Sequence, residues 1–269
     1  MRICRKKSII ALLTAALVLA CVCACGADMK ENAELRQKDV TTIEELYAKN
    51  REVEAEFHAL MAGLSDEFGA ELRERDGLKS EKRVREKVKN DYNGDYSRVT
   101  DILAATLVFD TEKEILAAAE ALKSRKYVVS FKDRWTVSQD SGYRDFKFNI
   151  ALSNGVISEL QLHHRKIAEV NRYLDHSLYE FVRSNEGREG TASWIEQTRA
   201  IERAFYDAAL TGDYDKMSED GRIKARAIAR RLASHSKDRP DEVQPLLNLL
   251  SRIVRDELGR LTNEKIEGK

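Results

Sequence analysis

The sequence predicts an α+β protein in which a mixed β-sheet of about four to five strands is flanked by helices. Three observations lead to this prediction. Amphipathic helical patterns occupy the chain before residue 90, apolar or alternating segments of strand length lie between residues 102 and 163, and only helical patterns follow from residue 164. With 269 residues and 42% hydrophobic content, the chain can bury one good core with helical additions.

The first 25 residues have the pattern of an export signal. A basic start, Arg2 to Lys7, precedes an apolar stretch from Ile9 to Ala20 that is short for a membrane span, and small residues follow. All four cysteines lie here, so the rest of the chain can form no disulfide. Cys25, followed by Gly26, resembles the lipidated cysteine of a bacterial lipobox, with Cys21 or an ordinary cleaved signal as alternatives. We therefore expect an exported lipoprotein anchored to the membrane of the cell envelope.

The rest of the chain is predicted to divide into three parts. Residues 26–41 are charged and lack apolar periodicity, which is typical of a tether. Residues 42–185 begin with a long helix, predicted from Thr42 to about Arg75 with a break at Gly63, and contain all the strands. Residues 186–269 form a helical C-terminal region, with helices at about 191–211, 215–235 and 240–264.

Turn signals delimit the elements between these helices. A basic helix is predicted from Ser80 to about Lys89, and Asn93-Gly94-Asp95 is a turn. The apolar run from Ile102 to Phe109 has the length of a buried strand. An Ala-rich helix from Thr111 to Lys123 and a strand from Tyr127 to Trp135 follow. After the strands, a helix is predicted at about 165–184.

Residues 141–163 form a hairpin with one apolar and one polar face. With Gly155 in the left-handed conformation, a three-residue loop pairs Leu152 with Val156, and the alternation then agrees on both strands. A two-residue turn would place Glu159 on the apolar face. Half-solvated sheets are commonly polar on one side, so this face alone does not indicate a site. It carries Tyr143, Asp145, Lys147, Asn149, Glu159, Gln161 and His163.

Four segments, taken in order, resemble the synthetase domain of the RelA/SpoT family. They are Leu78-Lys79-Ser80 with Arg83 and Lys87, Arg98 to Asp101 before a strand, Phe131 to Asp133 with Ser141 to Asp145, and Glu159 to Leu162. The resemblance covers about residues 75–185. It implies a mixed sheet with flanking helices and a pyrophosphokinase that moves pyrophosphate from ATP to the 3′-hydroxyl of GDP or GTP.

The resemblance also implies roles for individual residues. Lys79, Arg83 and Lys87 would hold the ATP phosphates, and their i, i+4, i+8 spacing places them on one helix face whatever the family. Asp101 and Glu159 would be the catalytic acids and would bind Mg²⁺ together, with Glu159 as base or ligand. Phosphoryl-type transfer needs cations for phosphates and carboxylates for magnesium, which suits these residue types.

Three further residues complete the implied nucleotide site. Tyr143 would stack on the base of the acceptor, Gln161 would steady the site beside Glu159, and Lys147 would contact the nucleotide. The sequence departs from the family pattern at several positions. Gly77, Thr106 and His163 replace arginines, Asp145 replaces a serine, and Lys147 replaces a histidine.

Charge and location leave three hypotheses open. The net charge is zero, so no overall field attracts nucleic acid, and tRNA as an acceptor would need local contacts. ATP and GTP are scarce outside the cytoplasm, which conflicts with an anchored synthetase. The chain could be an active pyrophosphokinase, including a toxin or effector that modifies tRNA ends. It could instead be a degenerate domain that binds nucleotide without turnover, or a lipoprotein in which the C-terminal helices are the working part.

Overall fold

A computed structural model describes residues 30–31, 34–235 and 239–267. The predicted export signal, with Cys21 and Cys25, lies outside these residues. No helix in the described ranges combines the length and the apolar character that a bilayer span requires.

The strands form one mixed sheet. They are β1 (Lys30–Glu31), β2 (Glu71–Glu74), β3 (Ala104–Phe109), β4 (Val128–Asp133), β5 (Phe146–Ala151) and β6 (Ile157–His164). Their order across the sheet is β1-β4-β5-β6-β3-β2. β3 runs parallel to β6, whereas β4, β5 and β6 are antiparallel neighbours. The predicted fold class is confirmed, because five strands of four or more residues and a two-residue edge strand lie among helices.

The helices precede, interrupt and follow the sheet. They are α1 (Ile43–Glu52), α2 (Glu54–Phe68), α3 (Glu81–Asp91), α4 (Glu112–Lys123), α5 (Arg165–Val170), α6 (His176–Asn185), α7 (Ala192–Thr211), α8 (Glu219–His235) and α9 (Pro240–Glu267). A π-helical turn, Asn171–Asp175, joins α5 to α6. Thr42 and Thr111 begin α1 and α4 with complete capping boxes, each of which satisfies two backbone N–H groups at the start of its helix.

The predicted long N-terminal helix is corrected in two places. It breaks at Val53, not at Gly63, because Val53 leaves helical geometry with φ −115° and ψ 9°. It also ends earlier, since Glu71–Glu74 forms β2 along the outer side of β3. The charged residues of β2 hide its strand character from a periodicity analysis.

The predicted hairpin register is confirmed. Leu152 N–H donates to Val156 O at 2.8 Å, and Gly155 has φ +83°. Phe148 stands opposite Leu160, and Lys147 stands opposite Gln161. One face of the hairpin is therefore core, and the other is polar.

Part of the predicted tether belongs to the folded domain. Gln37 is buried, and its side-chain amide donates to Val99 O at 3.0 Å and Ile157 O at 2.7 Å. Its amide oxygen accepts from Ile157 N–H at 2.9 Å. Val40 is buried against α1 and α3. Residues 34–41 are thus held by a buried polar contact that a composition argument cannot detect, and the predicted tether 26–41 is wrong over this range.

The main core runs without interruption from the sheet into the C-terminal helices. Leu107 and Phe148 of the sheet belong to the same buried cluster as Phe205 of α7, Leu232 of α8 and Leu247 of α9. The boundary predicted at residues 185/186 therefore does not separate two hydrophobic cores.

Candidate functional site

Asp101 forms the centre of a buried group of charges at the entrance to β3. Its Oδ2 accepts from Lys79 Nζ at 2.5 Å and from Lys87 Nζ at 3.0 Å. Ser80 caps α3, and the backbone N–H of Lys79 donates to Ile102 O at 3.1 Å. The start of α3 is thus tied to the chain entering β3, which brings both lysines to the aspartate.

The two lysines set the charge state of Asp101. Burial alone would raise the pKa of the Asp101 carboxyl, but the positive charges of Lys87 and Lys79 outweigh it and lower that pKa. Burial lowers the pKa of Lys79. For Lys87, the attraction of Asp101 outweighs burial and raises its pKa. Asp101 Oδ1 is buried without a hydrogen-bond partner among the described residues.

Glu159 lies beside this group on β6. Its backbone pairs with Ala104 of β3, three residues after Asp101. Glu159 is 7% exposed. Its carboxylate accepts hydrogen bonds from Lys147 Nζ at 2.6 Å and from Gln161 Nε2 at 2.7 Å. The polar face of the hairpin therefore holds Glu159 by one cation and one amide.

A cavity of about 600 Å³, called the central cavity here, connects these residues. Its lining includes Lys79, Arg83, Lys87, Asp101, Glu159 and Gln161. A cleft of about 890 Å³ between α3 and α6, the outer cleft, shares Lys79, Arg83 and Lys87 with it. Arg83 is the more exposed cation and faces Glu180 at 3.7 Å. Six of the eight residues predicted for the catalytic and nucleotide site thus line one cavity of ligand size.

The structure does not place Tyr143 as a stacking surface for a base. The residue is 9% exposed, and its hydroxyl contacts Asp145 Oδ2 at 3.0 Å and His163 Nε2 at 2.8 Å. Arg134 lies over the ring, with Cζ 5.3 Å from the centroid, and Tyr206 of α7 packs edge-on at 5.9 Å. The predicted role is therefore corrected: Tyr143 is part of the buried support beneath the hairpin.

Three of the five positions that depart from the family pattern, Asp145, His163 and Lys147, lie close to one another or contact the site. Asp145 is fully buried and accepts from Arg134 Nε at 2.5 Å. Burial would raise the pKa of Asp145, but His163, with Nε2 3.8 Å away, and the hydrogen-bonded Arg134 lower it. Lys147 binds Glu159, as described above. The departures thus form their own consistent set of polar contacts.

The central cavity also contains residues that were not predicted from the sequence, among them Arg75, Tyr179 and Arg183. Arg75 precedes the predicted helix, and its Nη1 lies 3.4 Å from Ile102 O. Tyr179 and Arg183 extend from α6, and Arg183 pairs with Asp91 of α3 at 2.8 Å. The i, i+4 spacing of Tyr179 and Arg183 on a predicted helix was the available signal.

The described residues contain no group of three or more side chains arranged to hold a metal ion. The two predicted acids, Asp101 and Glu159, do line the central cavity together. The unpartnered, buried Oδ1 of Asp101 is a free hard donor, and Mg²⁺ commonly takes one or two carboxylates and completes its coordination with water and phosphate oxygens. This donor set fits magnesium that arrives with a nucleotide.

Comparison with solved structures gives the fold. The complex between the Type VI effector Tas1 and its immunity protein contains a similar chain, with a TM-score of 0.52 and 21% identity over 63% of this chain and 96% of that one. Small alarmone synthetase 1 from Bacillus subtilis, bound to its product pppGpp, has a TM-score of 0.47 and 19% identity over 64% of this chain and 93% of that one. A GTP pyrophosphokinase family protein from Streptococcus pneumoniae has a TM-score of 0.45 and 16% identity over 77% of this chain and 98% of that one.

No protein-family model matches the sequence, and no curated protein matches it either. At 21% identity, the likeness to the Tas1 effector chain shows a shared fold. The mixed sheet with flanking helices that the sequence resemblance implies is confirmed.

Proposed function

We propose that this chain is a nucleotide pyrophosphokinase that transfers pyrophosphate from ATP to the 3′-hydroxyl of a guanine nucleotide. The observation that supports it most is the central cavity, where the cations Lys79, Arg83 and Lys87 meet the acids Asp101 and Glu159. Phosphoryl-type transfer depends mainly on placement and charge neutralisation, and this cavity offers both.

The proposed reaction assigns a task to each side chain. The 3′-oxygen of the acceptor attacks the β-phosphorus of ATP and forms a new O–P bond, while the bond from that phosphorus to the α,β-bridging oxygen breaks and AMP leaves. Glu159 takes the hydroxyl proton. Lys79, Arg83 and Lys87 neutralise the phosphates, and Lys147 and Gln161 orient the Glu159 carboxylate.

Asp101 and Glu159 would hold the magnesium ion. When bound, Mg²⁺ would neutralise phosphate charge in the transition state. The Asp101 carboxylate also keeps Lys79 and Lys87 side by side, so its contribution does not depend on the metal alone.

A second candidate is an effector or toxin that uses the same site on another 3′-hydroxyl acceptor, including the end of tRNA. The fold likeness to a Type VI effector favours it. An acceptor met inside a target cell would also remove the conflict between export and the cytoplasmic supply of ATP. Export remains part of this second candidate, whereas anchoring through Cys25 would keep the chain at its own cell envelope and belongs to the first candidate alone.

The test is transfer from ATP labelled on the γ-phosphate, with the purified full chain in mild detergent. GDP, GTP and tRNA serve as separate acceptors. We expect labelled product with at least one acceptor and at least a hundredfold loss in Glu159→Gln, because a positioned general base contributes about 10²- to 10⁴-fold. Glu120→Gln, at an exposed position on α4, is the matched control and should retain full activity. Absence of product with all three acceptors, or full activity of Glu159→Gln, would contradict the proposal.

A further inference from the structure

The nucleobase surface expected at Tyr143 must lie elsewhere if a nucleotide binds here. The Tyr143 ring is enclosed by Arg134, His163 and Tyr206. Exposing the ring to a base would break the two hydrogen bonds that the Tyr143 hydroxyl makes inside the protein. A base cannot stack there without dismantling the support of the hairpin.

Tyr179 offers the aromatic surface that Tyr143 does not. It is 49% exposed and is the one aromatic among the exposed large apolar side chains in the described part of the chain. Its ring lies where the central cavity meets a second cavity of about 570 Å³, called the side cavity here. Arg183, one helical turn further along α6, lines both cavities.

The side cavity differs from the central cavity in its charges. Its lining contains two cations, Arg183 and Arg199, and three carboxylates, Asp91, Asp140 and Glu186. Burial, with Asp175 nearby, raises the pKa of Glu202 to about 10, so this fourth acid is neutral at pH 7. These walls carry more negative than positive charges, whereas lysines and arginines outnumber carboxylates in the lining of the central cavity and of the outer cleft. A polyphosphate is therefore favoured in the central cavity and the outer cleft over the side cavity. The side cavity suits the uncharged end of a ligand whose phosphates lie in the central cavity.

The polar groups of the side cavity suit the edge of a flat heterocycle. Gln139 and Ser141 come from the loop before β5, and Glu202 of α7 is a buried wall residue. Val182 adds an apolar contact next to Tyr179. Bases outside a duplex are commonly bound by stacking on an aromatic ring and by hydrogen bonds along their edges.

We propose that Tyr179 and the side cavity bind the nucleobase of a substrate nucleotide whose phosphates occupy the central cavity. This inference rests on the proposed function for the identity of the ligand as a nucleotide. Tyr179 then determines base affinity, and Gln139, Ser141 and Glu202 read the base edge. The structure is compatible with the base of the donor or of the acceptor, and the two arms of the test separate them.

The test compares ATP, GTP and inorganic tripolyphosphate by calorimetric titration of the purified full chain in detergent. In the unsubstituted protein, at least one nucleotide should bind more tightly than tripolyphosphate. Tyr179→Leu should lower the affinity for that nucleotide about tenfold, which is the effect expected from the loss of one stacking contact. The affinity for tripolyphosphate should stay within twofold of its original value. Tyr179→Phe keeps the aromatic ring, so its affinity for the nucleotide should be within twofold of that of the unsubstituted protein. The nucleotide that loses affinity, ATP or GTP, is the one with its base on Tyr179.

Two results would overturn this assignment. Equal binding of both nucleotides and tripolyphosphate would show that no base is recognised, and an unchanged or uniformly weakened Tyr179→Leu would exclude a base-specific contact. Failure of the proposed function is distinguishable, because it is judged by labelled product. Tyr179-dependent nucleotide binding without product would leave the base site standing and refute turnover.

Discussion

At the scale of single residues, Asp101 explains how two lysine ammonium groups can lie together in a buried place. Each is within 3.0 Å of the same carboxylate oxygen. Removing one partner from a buried ionic group leaves a charge unpaired, which costs several kcal/mol, on the order of 3 to 5. The carboxylate therefore holds the lysines in position before any phosphate arrives, and phosphates can then be met by cations that are already in place.

A second buried carboxyl predicts how stability depends on pH. Glu202 is 3% exposed and lies next to Asp175 of the π-helical turn. Burial, then the hydrogen bond and negative charge of Asp175, raise the pKa of Glu202 to about 10. Between its ordinary value of 4.5 and about 10, the folded state binds a proton that the unfolded state releases. The stabilisation is complete below the lower value and is lost as pH rises towards the upper one.

We expect the free energy of unfolding to decrease as the pH rises from 5.5 to 8.5. Glu202 contributes at most about 1.4 kcal/mol for each pH unit, or about 4 kcal/mol over this range. Glu202→Gln retains a hydrogen-bond donor for Asp175 and has no titratable group, so it should flatten this dependence. Urea denaturation at both pH values measures the difference. Glu196→Gln, at an exposed position on the same helix, is the control and should keep the original slope. An equal slope in Glu202→Gln would refute protonation of Glu202 at neutral pH.

At the scale of elements, the loop before β5 depends on a glycine packed against α7. Gly142 has φ +82°, and a Cβ there would meet Arg203 Cα at 3.1 Å. The backbone atom cannot move aside as a flexible side chain can. The packed glycine thus fixes the backbone position of Tyr143, which follows it, and also fixes the part of the side-cavity wall that this loop forms.

Gly142→Ala should lower the free energy of unfolding by at least about 1 to 2 kcal/mol, the cost of a left-handed alanine, with the contact to α7 adding to it. Gly63→Ala is the matched control, because Gly63 lies inside α2 with open space around it. That change should raise stability by about 0.5 to 1 kcal/mol. Urea denaturation of the two variants, run in parallel, should therefore give shifts of opposite sign, and equal shifts would contradict the packing argument.

Elements with a clear period were predictable, and contacts between distant elements were not. The alternation of β5 and β6 fixes the hairpin register, because a slip by one residue exchanges the two faces. The spacing of Arg83 and Lys87 likewise places them on one side of α3. Lys79 joins them from the residue before the cap Ser80, and not from a turn of the helix as the i, i+4, i+8 spacing implied. The burial of Tyr143 depends on Tyr206, more than 60 positions later, and on Arg134. No local pattern encodes that contact, and the same holds for the buried amide of Gln37.

At the scale of the whole molecule, the C-terminal helices complete the core that supports the site. Phe205 and Tyr206 of α7 are buried in one cluster with Phe148 and Leu160 of the sheet, and Leu247 of α9 belongs to it as well. A separate helical domain would have a core of its own. This continuity favours an arrangement in which the C-terminal helices support the sheet and its cavity. It weighs against the hypothesis that these helices are the working part of the protein and that the sheet is only a scaffold.

The continuous core predicts that residues 1–190 cannot fold as an independent synthetase domain. Ending the chain there would expose the sides of α5 and α6 that α7 now covers, and it would remove the contact of Tyr206 with Tyr143. We expect this shortened chain to be insoluble or to lack a cooperative thermal transition. The full chain should unfold in a single transition when calorimetry is compared with circular dichroism. A soluble shortened chain that melts cooperatively, or two separate transitions in the full chain, would restore the domain boundary at residues 185/186 and would sever the link between the C-terminal helices and the nucleotide site.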